Sequence, residues 1–525
     1  MDFPQIRHEV HYGGRVVRCF TERPATVDQA FREAVEAAPG RDALALGDLR
    51  ITYCALDARV TAIAANLLAL GLSRGERVGI LLGNGVEFVE TVLAAARAGL
   101  IAVPMNVRQR LPETEFVLDH CKAAALVHDA ALAADVPGRD ALPALRHVFV
   151  VGDGPGTAFD TLRRPAAATG FPEAAEEDTF CLLYTSGTTG RPKGAMLTHL
   201  GVIHSLIQYQ HGLGLTSADV AVLAVPASHV TGLVAIILTM IRVAGTTAIL
   251  PAFRARAFLD LAASEKMTYT LIVPAMYNLC LLERDFAAFD LAAWRIAGFG
   301  GAPMPRATVA RLAGTLPDLA LINCYGATET TSPATMSPFG AIRTHPDSVG
   351  RAVACADILV VDPQGREVAP GESGELLIGG PMTIPGYWEN PEADRTGFIG
   401  GYWVSGDLGS KDADGFVRVL DRKKDMINRA GYKVYCIEVE NVMSHHPSVV
   451  EAAVVGRPDP VLGERVHAFV CTGGRPADAE AIRAWCAGRL SDYKVPDAIT
   501  FLDAPLPRNA NGKVLKMALR DLLPD

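Results

Sequence analysis

Arg77-Val-Gly-Ile-Leu-Leu82 has an almost unbroken apolar run and ends at Gly83-Asn84. A helical stretch, roughly Val86 to Ala98, follows, and then a second apolar run, Ile101-Ala-Val-Pro-Met105. Strands that are apolar on both faces belong inside a sheet covered on both sides. Strand, helix and strand at this spacing predict a βαβ unit and a parallel sheet. Ala123–Val127 and His147–Val151 extend that sheet, and amphipathic helices from Val27 and from Leu56 to Leu70 precede it. The same alternation resumes with the apolar runs Val220–Val225, Thr246–Leu250, Tyr269–Val273 and Leu319–Asn323, which predicts a second doubly wound α/β lobe. The Gly/Pro/Ala-rich stretch 152–178 reads as the connection between lobes.

The period changes from about Gly350. Short strands at Ile358–Val361, Gly374–Ile378 and Phe416–Leu420 are separated by turns such as Asp362-Pro-Gln-Gly365, and they predict a small β-barrel or β-rich subdomain at about 345–421. Beyond Asp421–Asp425 the pattern becomes a small α+β unit. It has helices at Ile437–His445 and Ala477–Leu490, strands at Val449–Val455 and Val466–Val470, and a polar tail, Pro507-Arg-Asn-Ala-Asn-Gly-Lys513. The expected domains are therefore 1–421 and 422–525.

Between the two lobes lies Tyr184-Thr-Ser-Gly-Thr-Thr-Gly-Arg-Pro-Lys-Gly194, directly after the apolar run Phe180–Tyr184. Glycines let backbone N–H groups turn toward an anion, and Ser/Thr hydroxyls add donors. Lys193 adds a point charge. It is not a Walker A loop, because Lys193 precedes Gly194 and no Gly-Lys-Ser/Thr opens a helix. Alone, such a cluster is either a polar surface turn or a phosphate cradle.

Composition excludes several classes. Of 525 residues, 49 are basic and 58 acidic, a net charge of −9 with no basic run, which argues against nucleic-acid binding. The ten cysteines form no C-x-x-C pair, so a structural zinc site is not supported and a reducing compartment fits. The N-terminus lacks a signal-peptide core. Val230–Leu250 is the longest apolar stretch, but Arg242 and a turn at Ala244–Thr247 make it a buried helix followed by a strand. The expectation is a cytoplasmic protein without an integral membrane segment; a homodimer is left open.

Four more stretches carry chemistry. Gly298-Phe-Gly-Gly-Ala-Pro303 offers bare backbone to a planar ring, or is simply a tight turn. Asn323-Cys-Tyr-Gly-Ala-Thr-Glu-Thr330 ends a strand, where ligands bind in such sheets. Tyr325 there offers a stacking face, Thr328 a phosphate donor and Glu329 a hard oxygen suited to Mg²⁺. Asp407 sits in an expected turn, Tyr402–Gly409, where a carboxylate can take both hydroxyls of a ribose. Asp421-Arg-Lys-Lys-Asp425 is a charge run at a domain junction.

In this order, these stretches resemble the adenylate-forming superfamily of acyl-CoA synthetases, luciferases and nonribosomal adenylation domains. The motifs are Y-T-S-G-T-T-G-x-P-K-G, Y-G-x-T-E, S-G-D, D-R-x-K-D and P-R-N-x-x-G-K, and the resemblance runs from about residue 27 to Leu523. It implies a large N-terminal domain with a small mobile C-terminal one, and ATP, Mg²⁺ and CoA as reaction partners. The resemblance assigns Thr185, Ser186, Gly187, Thr188, Thr189, Gly190 and Lys193 to the β- and γ-phosphates. It assigns Gly301, Ala302, Pro303, Tyr325 and Gly326 to the adenine, Thr328 to the α-phosphate and Glu329 to the metal. Asp407 and Arg422 would take the ribose. Lys513 would bridge the carboxylate and the α-phosphate. Lys424 falls at the hinge, and Gly431 and Tyr432 at the thiol tunnel.

Pro226-Ala-Ser-His-Val-Thr-Gly232 resembles the family's P-x-x-H-x-x-G segment, which makes His229 the gate between acyl pocket and tunnel; a hydrogen-bonded core histidine is the alternative. Thr231, Gly300, Cys324 and Ala327 complete the expected pocket. With His229 rather than Asp at that point and no carrier domain following, an amino-acid substrate is disfavoured. The implied activity is ATP-dependent ligation of an apolar monocarboxylic acid, fatty or aromatic, to CoA. Transfer to a carrier protein or other acceptor, or a non-enzymatic nucleotide-binding role, are the alternatives. Cys436 stands where the family usually has proline, which predicts a less rigid loop after Gly431.

Overall fold

The apolar runs become the parallel strands of two sheets in the computed structural model, which describes residues 3–166, 170–185, 192–302, 304–508 and 514–523. The chain divides into two compact units. The first comprises Met1–Ala302, Leu312–Ile358 and Ile378–Val404, and the second Pro303–Arg311, Leu359–Leu377 and Ser405–Asp525.

In the first unit one sheet runs Lys193–Thr198, Thr179–Thr185, Ile101–Pro104, Arg77–Leu81, Ala123–Asp129, His147–Val151 and Thr157–Ala158. All pairs are parallel except the edge pair formed by Lys193–Thr198. A second sheet carries a parallel core in the order Ala320–Tyr325, Ile296–Phe299, Tyr269–Ile272, Val220–Leu223, Thr246–Ile249, Asp42–Leu46. The near-continuous apolar strands are explained by this position: strands such as Tyr269–Ile272 are buried along their whole length. The stretch after Val230 is a buried π-helix, Thr231–Leu238, and a short α-helix, Thr239–Arg242, followed by the strand Thr246–Ile249. Among the described residues no helix is long and apolar enough to cross a membrane.

Two hairpins escaped the sequence reading: Ile6–His11 with Arg15–Phe20, and Asp42–Leu46 with Leu49–Thr52. In the first, Ile6-Arg-His-Glu-Val-His11 and Arg15-Val-Val-Arg-Cys-Phe20 keep no strict alternation of apolar and polar residues, so no strand period shows.

Two buried histidines fasten the first unit. His204 accepts the Phe20 N–H at 3.1 Å through Nε2 and donates Nδ1–H to the Leu200 carbonyl at 2.8 Å. His199 Nδ1 accepts the Val27 N–H at 3.1 Å. Burial lowers His199 to about 4 and His204 to about 3. Depressed imidazoles favour the neutral fold, so their stabilisation is complete above pH 6.5 and is lost as the pH falls toward 4. By pH 5 each costs roughly 2 kcal/mol. The thermal midpoint is expected to drop steadily from pH 6.5 to 5, before most carboxylates titrate; a flat midpoint over that range would contradict the assignment.

At one end of the second sheet's strand order stands Asp357–Val361, followed by Ser373–Gly379, Tyr402–Lys411 and Phe416–Arg422. This corrects the barrel expectation: beyond Asp357–Val361 the sheet continues only as the single bridge Val361–Glu367, so no closed barrel forms among the described residues. Further on, the antiparallel pair Glu451–Asp459 and Gly463–Cys471 packs under the helices Cys436–Ser444 and Ala479–Ala487 around Val439, Met443, Val454, Val466, Ile482 and Cys486. Cys436 is buried at the first position of its helix. Its N–H donates to Asp421 Oδ2 at 2.5 Å and its thiol to the Asp425 carbonyl at 3.0 Å. Proline could supply neither bond, so the loop after Gly431 gains two tethers to the 421–425 run, contrary to the expected loss of rigidity. Burial in this corner raises the Asp421 carboxyl to about 6, with Lys516 opposing the shift.

Candidate active site

Ile296–Phe299 and Ala320–Tyr325 are neighbouring parallel strands with Phe299 opposite Asn323. Gly300–Ala302 and Cys324–Thr328 therefore emerge side by side at the carboxyl ends, where open α/β sheets bind ligands. The approach is close enough to require glycine: a Cβ on Gly300 would lie 2.4 Å from the Cys324 carbonyl oxygen. Gly301 adopts a φ of +76° and, with Ala302, is exposed. Tyr325 pairs with Thr335, and its carbonyl accepts the Ala334 N–H at 2.8 Å. Thr328–Thr330 forms a single 3₁₀ turn after Gly326 and Ala327, fixed by the Ala327 N–H on Thr330 Oγ1 at 2.9 Å.

That turn delivers Glu329 to the base of the glycine-rich loop. Thr185 and Lys193 are opposed in the antiparallel pair that closes the loop. Thr185 Oγ1 lies 3.5 Å from Glu329 Oε1, and the Tyr387 hydroxyl donates to the same oxygen at 3.0 Å. Lys193 Nζ sits 5.2 Å from the centre of the Tyr387 ring, within cation–π range. Burial first, and the Glu329 charge second, push the Tyr387 phenol well above its ordinary range, so it stays protonated and donating. A carboxylate oriented by two hydroxyl groups is a hard, anionic donor, and it fits Mg²⁺.

Tyr387 was not found from the sequence. Its place depends on Gly386–Trp388 lying along the strand Lys193–Thr198, through Trp388 N–H to the Gly194 carbonyl at 2.7 Å and Met196 N–H to the Gly386 carbonyl at 3.2 Å. The only local signal is an aromatic pair between the turn formers Pro385-Gly386 and Asn390-Pro391.

His229 follows the end of the strand Val220–Leu223, which Tyr269–Ile272 separates from Ile296–Phe299 in the same sheet. Asn84 pins that segment: its Nδ2 donates to the carbonyls of Val225 at 3.0 Å and Leu250 at 3.1 Å, and its Oδ1 accepts the Ala227 N–H at 2.8 Å. His229 Nδ1 accepts the Thr231 N–H at 3.2 Å and lies 3.1 Å from Thr231 Oγ1. Burial lowers it to about 4, so the ring is neutral near pH 7, and acceptance at Nδ1 leaves the proton on Nε2.

In the second unit Asp407 is not in a turn. It lies within the strand Tyr402–Lys411, opposite Arg422, whose Nε reaches Asp407 Oδ1 at 2.6 Å. Gly406, at a φ of +69°, lets the strand kink where a turn was expected. Lys424 is exposed, and its carbonyl accepts Arg520 at 3.5 Å. Gly431 follows Ala430 in a hairpin turn with φ of +90° and +50° respectively. Tyr432, which is 60% exposed, stacks on Tyr493 with centroids 4.7 Å apart. Ser186, Gly187, Thr188, Thr189, Gly190, Pro303 and Lys513 lie outside the described residues.

Among the described residues one other grouping has metal-ligand chemistry, Glu9, His11 and Cys19. There Glu9 is taken by Arg23 Nη2 at 2.8 Å and Arg7 Nε at 2.8 Å, which makes it an ion-pair cluster.

Comparison with known proteins places the chain in a family. Residues 31–388 match the family of AMP-binding enzymes, and residues 438–513 match the AMP-binding enzyme C-terminal domain. A feruloyl-CoA synthase from Amycolatopsis sp. is 34% identical over 92% of this chain and 96% of its own length. The long-chain-fatty-acid–CoA ligase FadD13 of Mycobacterium tuberculosis is 33% identical over 90% and 93%. Among solved structures, the anthranilate CoA ligase AuaEII in complex with anthranoyl-AMP superposes with a TM-score of 0.89 at 27% identity, covering 95% of this chain and 97% of that one.

Proposed function

The chain belongs to the AMP-binding enzymes, and on that premise we propose how its residues divide the work of an AMP-forming acid:CoA ligase. The enzyme activates a carboxylic acid with ATP as acyl-AMP and passes the acyl group to CoA. The observation that carries the residue assignment is the convergence of Thr185 and Tyr387 on Glu329 at the carboxyl end of a parallel strand, with Lys193 over the Tyr387 ring.

In the first half-reaction the substrate carboxylate attacks the α-phosphorus and pyrophosphate leaves. Two anions must meet, so the work is charge stabilisation and alignment. The loop from Thr185 to Lys193 holds the leaving pyrophosphate. Thr328 donates to the α-phosphate, and Lys513 bridges it to the incoming carboxylate. Glu329, oriented by Tyr387, would hold Mg²⁺, which supplies positive charge to the phosphates when bound. Tyr325 stacks on the adenine beside Gly301, Ala302 and Pro303, while Asp407, fixed by Arg422, accepts the ribose hydroxyls.

In the second half-reaction the CoA thiol attacks the acyl carbonyl and AMP leaves. The domain 422–525 turns about Lys424, carrying Lys513 away and bringing Gly431 and Tyr432 to the thiol path. His229 is neutral and gates that path. The acid is an apolar monocarboxylate, fatty or aromatic, and the reaction takes place in the cytoplasm.

Acid-dependent pyrophosphate release from ATP, measured over a panel of fatty and aromatic acids with and without CoA, tests the reading. At least one acid is expected to give pyrophosphate, AMP and, with CoA, its thioester. If an acid is adenylated but no acyl-CoA forms from any activated acid, the CoA assignment fails and a different acceptor takes its place.

A further inference from the structure

The N-terminal hairpin turns at Tyr12-Gly13-Gly14, three successive residues with φ of +51°, +70° and +127°. The two glycines are exposed. The side chains flanking them, Tyr12 and Arg15, reach the stretch Pro381–Pro385, 369 and 370 residues further along the chain. The Tyr12 hydroxyl donates to the Pro381 carbonyl at 2.9 Å and lies 2.7 Å from Thr198 Oγ1. Arg15 donates through Nη1 to the Ile384 carbonyl at 2.8 Å and through Nη2 to the Pro385 carbonyl at 2.7 Å. Its guanidinium also lies 5.2 Å from the centre of the Phe398 ring, within cation–π range. A planar fork with fixed donors can span two consecutive carbonyls, which a lysine ammonium cannot do in the same way.

The stretch that Arg15 holds is tied to Glu329 at both its ends. The Ile384 N–H donates to the Glu329 carbonyl at 3.0 Å, and the Thr331 hydroxyl donates to the Met382 carbonyl at 2.7 Å. Three residues after Ile384, the Tyr387 hydroxyl donates to Glu329 Oε1 at 3.0 Å. Residues 381–386 belong to no helix or strand, and Pro381 and Pro385 have no N–H to give a ladder. Side chains do the placing instead: the carbonyls of Pro381, Met382, Ile384 and Pro385 accept from Tyr12, Thr331 and Arg15. Arg15 supplies two of those four bonds, and they are the two nearest Tyr387.

We propose that Arg15 is a positioning residue for the first half-reaction: by bridging the Ile384 and Pro385 carbonyls it sets where the Tyr387 hydroxyl meets Glu329. The proposal rests on the ligase reading above, with Glu329 as the metal-holding carboxylate, and deepens it. Arg15 acts through Tyr387 rather than on the substrate. Hydrogen bonds from a charged donor are among the stronger ones, so losing two at once frees the stretch to shift. A displacement of about 1 Å at a group that orients a reacting site is enough to slow the chemistry. Because the effect passes through a single hydrogen bond, a variant that already lacks the Tyr387 hydroxyl has little left to lose when Arg15 is removed. Residues coupled in this way depart from additivity, whereas an arginine that merely fastened the hairpin would act independently of Tyr387.

The test is a double-mutant cycle in the full-length enzyme, read as acid-dependent pyrophosphate release over a Mg²⁺ titration, with any acid from the panel that the wild type activates. Arg15→Ala is expected to lower the rate about tenfold, as Tyr387→Phe does, and to raise the Mg²⁺ concentration at half-maximal rate. The double variant is expected to fall no more than about twofold below Tyr387→Phe alone, against about a hundredfold below wild type for independent losses. Arg15→Lys keeps the charge without the fork and is expected to recover only part of the rate. Rates are taken well below each variant's thermal midpoint, and Arg15→Gln replaces the alanine variant if that one does not fold. Losses that multiply in the double variant, an unmoved Mg²⁺ midpoint or a wild-type rate in Arg15→Ala overturn the proposal and leave Arg15 as a fastener of the hairpin. If the wild type releases pyrophosphate with no acid, the ligase reading has failed and the proposal with it, a result distinct from a cycle that shows no coupling.

Discussion

Lys513→Ala is expected to lower acid-dependent pyrophosphate release about 10²- to 10³-fold, the usual loss when one preorganised charge contact to a transition state is removed. The same variant is expected to convert externally supplied acyl-adenylate to acyl-CoA at close to the wild-type rate. The asymmetry follows from the two half-reactions. The first brings a carboxylate onto a phosphate and needs a cation between them. In the second a thiol attacks a neutral carbonyl, and the lysine has no anion pair to bridge. The substitution spares the framework around it. Arg508 pairs with Val514 on either side of the segment, Arg508 reaches Glu451 at 2.7 Å, and Lys516 reaches Glu440 at 2.7 Å. Rates for the two half-reactions, measured separately, decide the matter. Equal losses in both would move Lys513 from the bridging role to a general one.

Glu329→Gln is expected to produce a comparable fall in pyrophosphate release, about 10²-fold or more, and to raise the Mg²⁺ concentration needed for half-maximal rate. The exchange keeps the size of the side chain and an oxygen able to accept from Tyr387, so it isolates the charge. Tyr387→Phe removes only the 3.0 Å hydrogen bond that orients the carboxylate. Its cost is smaller, about tenfold, in line with loss of one bond to a charged group. A Mg²⁺ titration of the initial rate in each variant separates the cases: a shifted midpoint in Glu329→Gln supports a metal-holding carboxylate. An unshifted midpoint with a lowered maximum would make Glu329 an anchor for the loop base instead.

The parallel sheets were legible because burial on both faces leaves little choice of residue. Arg77–Leu82 and Tyr269–Val273 are almost wholly apolar, and each became the strand it suggested. The Tyr325–Glu329 turn was legible for a related reason: a glycine and hydroxyl side chains follow directly on an apolar run. What could not be read depended on contacts made across the sequence. Tyr387 lies 58 residues from Glu329 and is placed by main-chain bonds to the Lys193–Thr198 strand. Asp407 was expected in a turn because Gly406 precedes it, whereas the glycine serves a kink inside a long strand. The β-rich stretch was expected to close, but closure depends on pairing of the edge strand, and a one-dimensional pattern carries no information on that.

Gln208 shows the same limit from the other side. In the sequence it is one polar residue in a helical run, and nothing in its spacing separates it from a solvent-facing glutamine. Only its burial makes its amide, unpaired among the described residues, conspicuous.

The pairing of Thr185 with Lys193, and of Arg508 with Val514, also has a thermodynamic consequence. Each pair joins the two ends of a segment assigned to ATP chemistry, seven residues in one case and five in the other. Bringing the ends of a chain segment together carries an entropy cost that grows as about (3/2)RT ln n with segment length n. Here folding has met that cost before any nucleotide arrives. Binding energy from ATP is then spared for fixing the donors between the ends, and a larger share of it remains to be expressed in the transition state.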